Sequence, residues 1–132
     1  MKSLVVEDDF VCRKTLSSLL GRYGSCDIAS DGVEALEAVS LAIREGQHYD
    51  LICLDIQMPN LDGQGTLSGI RNQEKDASIL LGYGAKIIMT TALGDKDNIF
   101  KAFRENADGY LTKPILRQPL EDAMRKLGFL GE

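Results

Sequence analysis

Short apolar runs of strand length alternate with stretches whose apolar residues recur at helical spacing, from the first residues of the chain to the last. Residues 4–6, 25–29, 49–54, 86–90 and 109–112 read as strands. Leu16, Leu19, Leu20 and Tyr23 mark one face of a first helix, with Gly24 as its expected end. Ala35, Leu36, Val39, Ala42 and Ile43 mark a second, entered through Asp31-Gly32 and stopped by Gly46. A third is expected over 66–75, where Gly65 and Gly69 weaken the propensity. A fourth runs from Asp95 or Asp97 to Asn106, and a last one over 119–127. Strict alternation of this kind predicts an α/β, doubly wound fold: a five-stranded parallel sheet covered by helices on both faces.

In a parallel sheet the C-terminal ends of the strands all point one way, so the residues that end these runs should converge. The first run ends in Glu7-Asp8-Asp9, the third in Asp55, the fourth in Thr90-Thr91, and the fifth passes straight into Lys113-Pro114. Carboxylates, a hydroxyl and an ammonium gathered there read as a cation and phosphoryl site. Mg2+ takes one or two carboxylates plus phosphate oxygens and keeps several waters. Asp8 and Asp55 can supply the carboxylates, and Lys113 can offset their repulsion. Asp55, solitary at its strand end, is the nucleophile candidate and would form an acyl phosphate. Thr91 can donate its hydroxyl to one phosphoryl oxygen while Lys113 neutralises another. An acidic residue at a strand end is ordinarily a solvated cap; four strand ends each carrying a residue type that phosphoryl transfer requires outweigh that reading. His48, the single histidine, precedes the third strand at the other end of the sheet and reads as a surface residue.

The 132 residues and 44% hydrophobic content suit one domain over 1–132. A net charge of -5 argues against a nucleic-acid surface, which needs clustered Lys and Arg. Cys12, Cys26 and Cys53 have no disulfide or metal-ligand spacing and read as small buried hydrophobes in a reducing compartment. No apolar run approaches the ~20 residues that span a bilayer, so no membrane association and a cytoplasmic location are expected. The segment 76–84 holds more apolar side chains than a solvated loop needs, which predicts an extra half-turn of helix and a packed loop rather than a binding patch.

Four strings, Leu4-Val5-Val6-Glu7-Asp8-Asp9, Leu54-Asp55-Ile56-Gln57-Met58-Pro59-Asn60-Leu61-Asp62-Gly63, Ile88-Met89-Thr90-Thr91-Ala92 and Gly109-Tyr110-Leu111-Thr112-Lys113-Pro114, occur in this order and resemble the receiver domain of two-component response regulators. The resemblance covers essentially the whole chain. It implies a flavodoxin-like sheet of order 2-1-3-4-5 with five helices. It also makes Asp55 the phosphoacceptor, Asp8 a direct Mg2+ ligand, Glu7 a ligand through water, and the backbone carbonyl of Gln57 the remaining protein ligand. Thr91 and Tyr110 become a switch pair, Lys113 binds phosphate, and the Lys113–Pro114 bond is expected to be cis. Gln57 and Leu93 fall beside the entry of hydrolytic water, and the apolar Leu93 implies slow self-dephosphorylation. The interval from Asp55 to Thr91 is longer than in compact members, with the excess in 76–84, and Glu105-Asn106-Ala107 stands where the family often has Ala-Gly-Ala.

The resemblance implies a stand-alone receiver that takes a phosphoryl group from a histidine kinase or a histidine phosphotransfer protein, with Mg2+ as cofactor. It would catalyse only its own modification and signal through a downstream protein or self-association at the face of the fourth helix, fifth strand and last helix. On that fourth helix Ile99 and Ala102 define an apolar stripe that Phe100 and Phe103 cannot both share, so at least one ring is expected at the edge of the core. One competitor is a receiver acting as a constitutive scaffold. Another is a phosphohydrolase of the haloacid dehalogenase type, which needs an Asp two residues after the nucleophile; Gln57 stands there. A flavodoxin-like carrier would place Glu7-Asp8-Asp9 against a flavin phosphate, where they would repel it.

Overall fold

The computed structural model describes residues 1–80, 82–92 and 107–131. In chain order they form β1 (Lys2–Val6), α1 (Phe10–Leu20), β2 (Ser25–Ala29), α2 (Gly32–Arg44), β3 (Leu51–Asp55), α3 (Gly63–Asp76), β4 (Lys86–Thr91), β5 (Gly109–Thr112) and α4 (Arg117–Lys126). The helix expected from Asp95 or Asp97 to Asn106, with Ile99, Phe100, Ala102 and Phe103, lies outside the described residues, as does Leu93. The sheet is parallel, in the order β2-β1-β3-β4-β5.

Side-chain alternation along the strands divides the core into two layers. Val5, Leu51, Cys53, Ile88 and Leu111 face α1 and α4, where Leu16, Leu20, Leu120 and Met124 cover them. Leu4, Val6, Ile52, Leu54, Ile87 and Met89 face α2 and α3 and meet Ala35, Val39, Ala42, Leu67 and Ile70. β3, in the middle of the sheet, is buried at every position. The three thiols are free, and burial pushes Cys53 up to about 12, which leaves it an inert core residue.

Each of the first three helices begins on an aspartate, Asp9 and Asp31 just past a strand end and Asp62 at the end of the loop that follows β3. Asp9 accepts from the Val11 and Cys12 amides, Asp31 from Glu34 and Asp62 from Gly65. The loop from β3 to α3 folds back so closely that a Cβ on Gly63 would lie 2.3 Å from the Asp55 carbonyl oxygen.

Several expected boundaries move. Gly21 caps α1, and Gly24, at φ 148, instead turns the chain into β2. α3 begins at Gly63 rather than at 66 because Asp62 caps it, and α4 begins at Arg117 rather than 119. The loop after α3 is not the packed one expected: Leu80 is 71% and Tyr83 75% exposed. What holds this loop is polar. Arg71 donates to Glu74, to the Ala85 carbonyl and to Asp108, while Glu74 and Asp108 accept the Ala85 and Ile87 amides. No helix among the described residues is long and apolar enough to cross a membrane.

Candidate functional site

The C-terminal ends of β1, β3, β4 and β5 border a cavity of about 210 Å³ lined by Glu7, Asp8, Asp9, Asp55, Ile56, Gln57, Thr91, Ala92 and Lys113. The sheet order explains the gathering. β1 and β3 are neighbours, so Glu7 and Asp8 follow Val6, whose register partner is Leu54, immediately before Asp55. β5 lies one strand beyond β4, and Lys113 returns across the sheet from there.

The three consecutive acids at the end of β1 do three different things. Glu7 is fully buried and continues the strand, with Arg13 donating to its carbonyl at 3.0 Å. Asp8 is exposed toward the cleft. Asp9 is the cap of α1, and its own amide donates to Glu7 Oε1 at 3.1 Å. Oxygens of Glu7, Asp8 and Asp55 all lie within 4.8 Å of one another.

Lys113 Nζ stands 3.0 Å from Glu7 Oε2 and 3.3 Å from Asp55 Oδ2. Its hydrogen-bond geometry favours Glu7 Oε1, at 3.2 Å, so the buried Oε2 has charge compensation but no directed donor. The Gln57 amide donates to Asp55 Oδ1 at 3.2 Å. Burial first, then the charge and hydrogen bonding of Glu7, push the Asp55 carboxyl up to about 7, against the lowering influence of Lys113. Burial lowers the Lys113 ammonium, yet hydrogen bonding to Glu7 and the charges of Asp55 and Glu7 outweigh it and raise the group, which stays charged.

This donor set suits a hard divalent cation. Three carboxylates converge on a cleft with room for water, one buried carboxylate oxygen lacks a directed partner, and one lysine offsets only part of the negative charge. Asp8 and Asp55 would hold Mg2+ directly, with Gln57 on the same cavity wall.

Of the residues singled out in the sequence, Glu7, Asp8, Asp55, Gln57, Thr91 and Lys113 line this one cavity. Thr91 is buried, and its hydroxyl donates to the Ala92 carbonyl at 3.3 Å rather than to Asp55. Tyr110 is 47% exposed on β5. The Lys113–Pro114 bond is cis. The sequence points to Thr90, the register partner of Asp55, only as part of the Thr90-Thr91 strand end, and it does not point to Arg13, which braces the Glu7 backbone. The spacing from Glu7 to Arg13 is no recognisable motif, and register between strands is not written in either strand alone.

Residues 3–125 match a family model described as the response regulator receiver domain. Among curated proteins, the chain is 36% identical to the chemotaxis protein CheY of Halobacterium salinarum, covering 92% of this chain and 91% of that one. It is 34% identical over 92% of its length to the osmosensing histidine protein kinase SLN1 of Saccharomyces cerevisiae, of which it spans only 10%. Other relatives are likewise longer, the chain spanning 7% of a hybrid signal transduction histidine kinase of Dictyostelium discoideum and under half of two probable transcriptional regulators. Among solved structures, a CheX-CheY-BeF3-Mg complex from Borrelia burgdorferi superposes with a TM-score of 0.81 at 26% identity, over 99% of this chain and 90% of that one.

Proposed function

Because the chain belongs to the response regulator receiver domain family, we propose that it is the phosphoacceptor of a two-component signalling system, taking a phosphoryl group from a phosphohistidine on Asp55. The observation that carries this reading is the shared ammonium of Lys113, 3.3 Å from Asp55 and 3.0 Å from Glu7, in a cleft where three carboxylates meet. In this reading residues 1–132 act as one cytoplasmic receiver domain that modifies only itself.

An oxygen of the Asp55 carboxylate attacks phosphorus, the phosphorus–nitrogen bond of the donor breaks, and the imidazole leaves with its electron pair. The product is an acyl phosphate. Lys113 releases Glu7 and Asp55 to meet a phosphoryl oxygen, and the Gln57 amide holds the Asp55 carboxyl in place. Bound Mg2+ would neutralise negative charge on the transferring group and keep Asp55 ionised. Thr91, turning its hydroxyl from the Ala92 carbonyl toward the phosphoryl group, vacates space into which Tyr110 rotates.

The donor must bring its histidine to a nearly buried carboxylate, and the rim suits such an approach. Phe10 and Val11 at the start of α1 are 64% and 70% exposed, and Leu116, ahead of α4, is 60% exposed. These side chains form an apolar margin for a histidine kinase or histidine phosphotransfer protein. Output passes through β5, α4 and the residues between 92 and 107, to a downstream protein or a second copy.

Incubation with acetyl phosphate and Mg2+ tests the assignment by intact mass. One phosphate is expected, absent in Asp55→Asn and suppressed by EDTA; phosphate retained in that variant would overturn it.

A further inference from the structure

Thr90 is the β4 neighbour of Asp55, the two being register partners across the β3–β4 pair, and its partner on the other side is Leu111. Strand alternation puts its side chain on the same face as theirs. Ile88 and Cys53 belong to the layer under α1 and α4, and Thr90 and Asp55 are each two residues further along their strands. Lys113 likewise follows Leu111 of that layer by two residues. To reach Asp55 on β3 and Glu7 on β1, the lysine side chain leaves β5 and crosses β4, the strand that carries Thr90. Thr90 is 1% exposed, and its Oγ1 has no hydrogen-bond partner.

A buried hydroxyl without a partner forfeits the hydrogen bonds it had in water, and valine would fill nearly the same volume without that cost. Thr90 does not itself line the cavity; its strand runs between β3, which carries Asp55, and β5, which leads to Lys113, the two groups that a phosphoryl group must rearrange. Thr91 differs: alternation turns it toward the other layer, and its hydroxyl is engaged by the Ala92 carbonyl.

We propose that Thr90 is a positioning residue of the phosphoryl site: once a phosphoryl group on Asp55 draws Lys113 away from Glu7, its hydroxyl accepts a hydrogen bond from the Lys113 ammonium and donates its own hydrogen to the Asp55 carboxyl oxygen left outside the new bond. The inference rests on the phosphoacceptor reading above. Asp55 is on the neighbouring strand and Lys113 directly follows β5, the strand on the other side, so Thr90 stands next to both on one face of the sheet. The hydroxyl is unsatisfied in the resting state and satisfied in the modified one, which biases the site toward the modified state.

Beryllium fluoride with Mg2+ serves as a phosphoryl mimic that requires no chemistry, and its binding is followed by 19F NMR in wild type, Thr90→Val and Thr90→Ser. The same three proteins are unfolded in urea with EDTA present. Thr90→Ser is expected to bind within about twofold of wild type, and Thr90→Val about five- to tenfold more weakly, the scale of one lost hydrogen bond near charged groups. In EDTA, Thr90→Val should be at least as stable as wild type, because only an orphaned hydroxyl is lost. A structural role alone would change stability and leave affinity in place. Equal affinity of Thr90→Val and wild type overturns the inference, and so does a Thr90→Val protein less stable than wild type in EDTA. If wild type binds no beryllium fluoride, the phosphoacceptor reading falls and this inference with it; binding by wild type with Thr90→Val unchanged removes this inference alone.

Discussion

Lys113 Nζ is closer to Glu7, at 3.0 Å, than to Asp55, at 3.3 Å. One ammonium from β5 thus serves two buried carboxylates on two other strands, and the residue it leans toward is not the nucleophile candidate. The arrangement keeps the lysine within reach of anything attached to Asp55 while the more deeply buried Glu7 holds it at rest.

Removing that ammonium leaves Glu7 and Asp55 facing each other without compensation. Lys113→Met should lower the stability of the metal-free protein at pH 8 by about 1–3 kcal/mol, below the usual cost of breaking a fully buried pair because the lysine is partly exposed. Urea denaturation measures this, and added Mg2+ should recover part of the loss. A variant as stable as wild type in EDTA would show that the pair carries no net stabilisation.

Stability should also fall with rising pH in a window set by Asp55. Its carboxyl is raised from 3.8 to about 7 in the fold, so between those values the folded state holds a proton that the unfolded chain has released. That proton favours the fold at the acidic end, and the advantage disappears as pH rises through 7. Other carboxylates slope the other way, so the test is the difference between wild type and Asp55→Asn. In EDTA the variant should gain on wild type between about pH 4 and 7, by on the order of 2 kcal/mol at pH 8 once screening by water in the open cleft is allowed for. Parallel pH profiles would contradict the raised carboxyl.

Gly63 is a point of close approach rather than of unusual backbone angle. A Cβ there would lie 2.3 Å from the Asp55 carbonyl oxygen and 2.6 Å from Ile56 Cα, both main-chain atoms unable to step aside. Gly63→Ala should cost about 1–3 kcal/mol in urea denaturation, the scale of an overpacked site. It should also weaken Mg2+ binding measured by calorimetry, because the loop carrying Gln57 must move. Unchanged stability would mean that α3 can shift without strain.

At the opposite end of the sheet, Arg71 joins Glu74, Asp108 and the Ala85 carbonyl, at 2.8–2.9 Å. Arg71→Met strands two carboxylates and should cost about 3 kcal/mol, with part restored by adding Glu74→Gln. Urea denaturation of the single and double variants measures the coupling; strict additivity would show that the groups act independently.

Amino-acid order alone determined the element sequence and the residue types at the strand ends. Alternation of strand and helix patterns predicts a parallel, doubly wound sheet, and the acids, threonine and lysine at the ends of four runs follow directly from reading the chain. The resemblance to receiver domains supplied the strand order, which local periodicity does not contain. Boundaries slipped where a cap outranked the apolar pattern: Asp62 starts α3 three residues before the expected position, and Gly21 rather than Gly24 closes α1. Tertiary structure decided how neighbouring residues divide their work. Glu7, Asp8 and Asp9 are equivalent as sequence, yet strand alternation, the cleft and the α1 cap make one buried, one exposed and one a cap. Likewise Thr90 and Thr91 differ only in the face each presents, and the register of β3 with β4 sets Thr90 beside Asp55. Such distinctions depend on contacts between strands far apart in the chain, which no local pattern encodes.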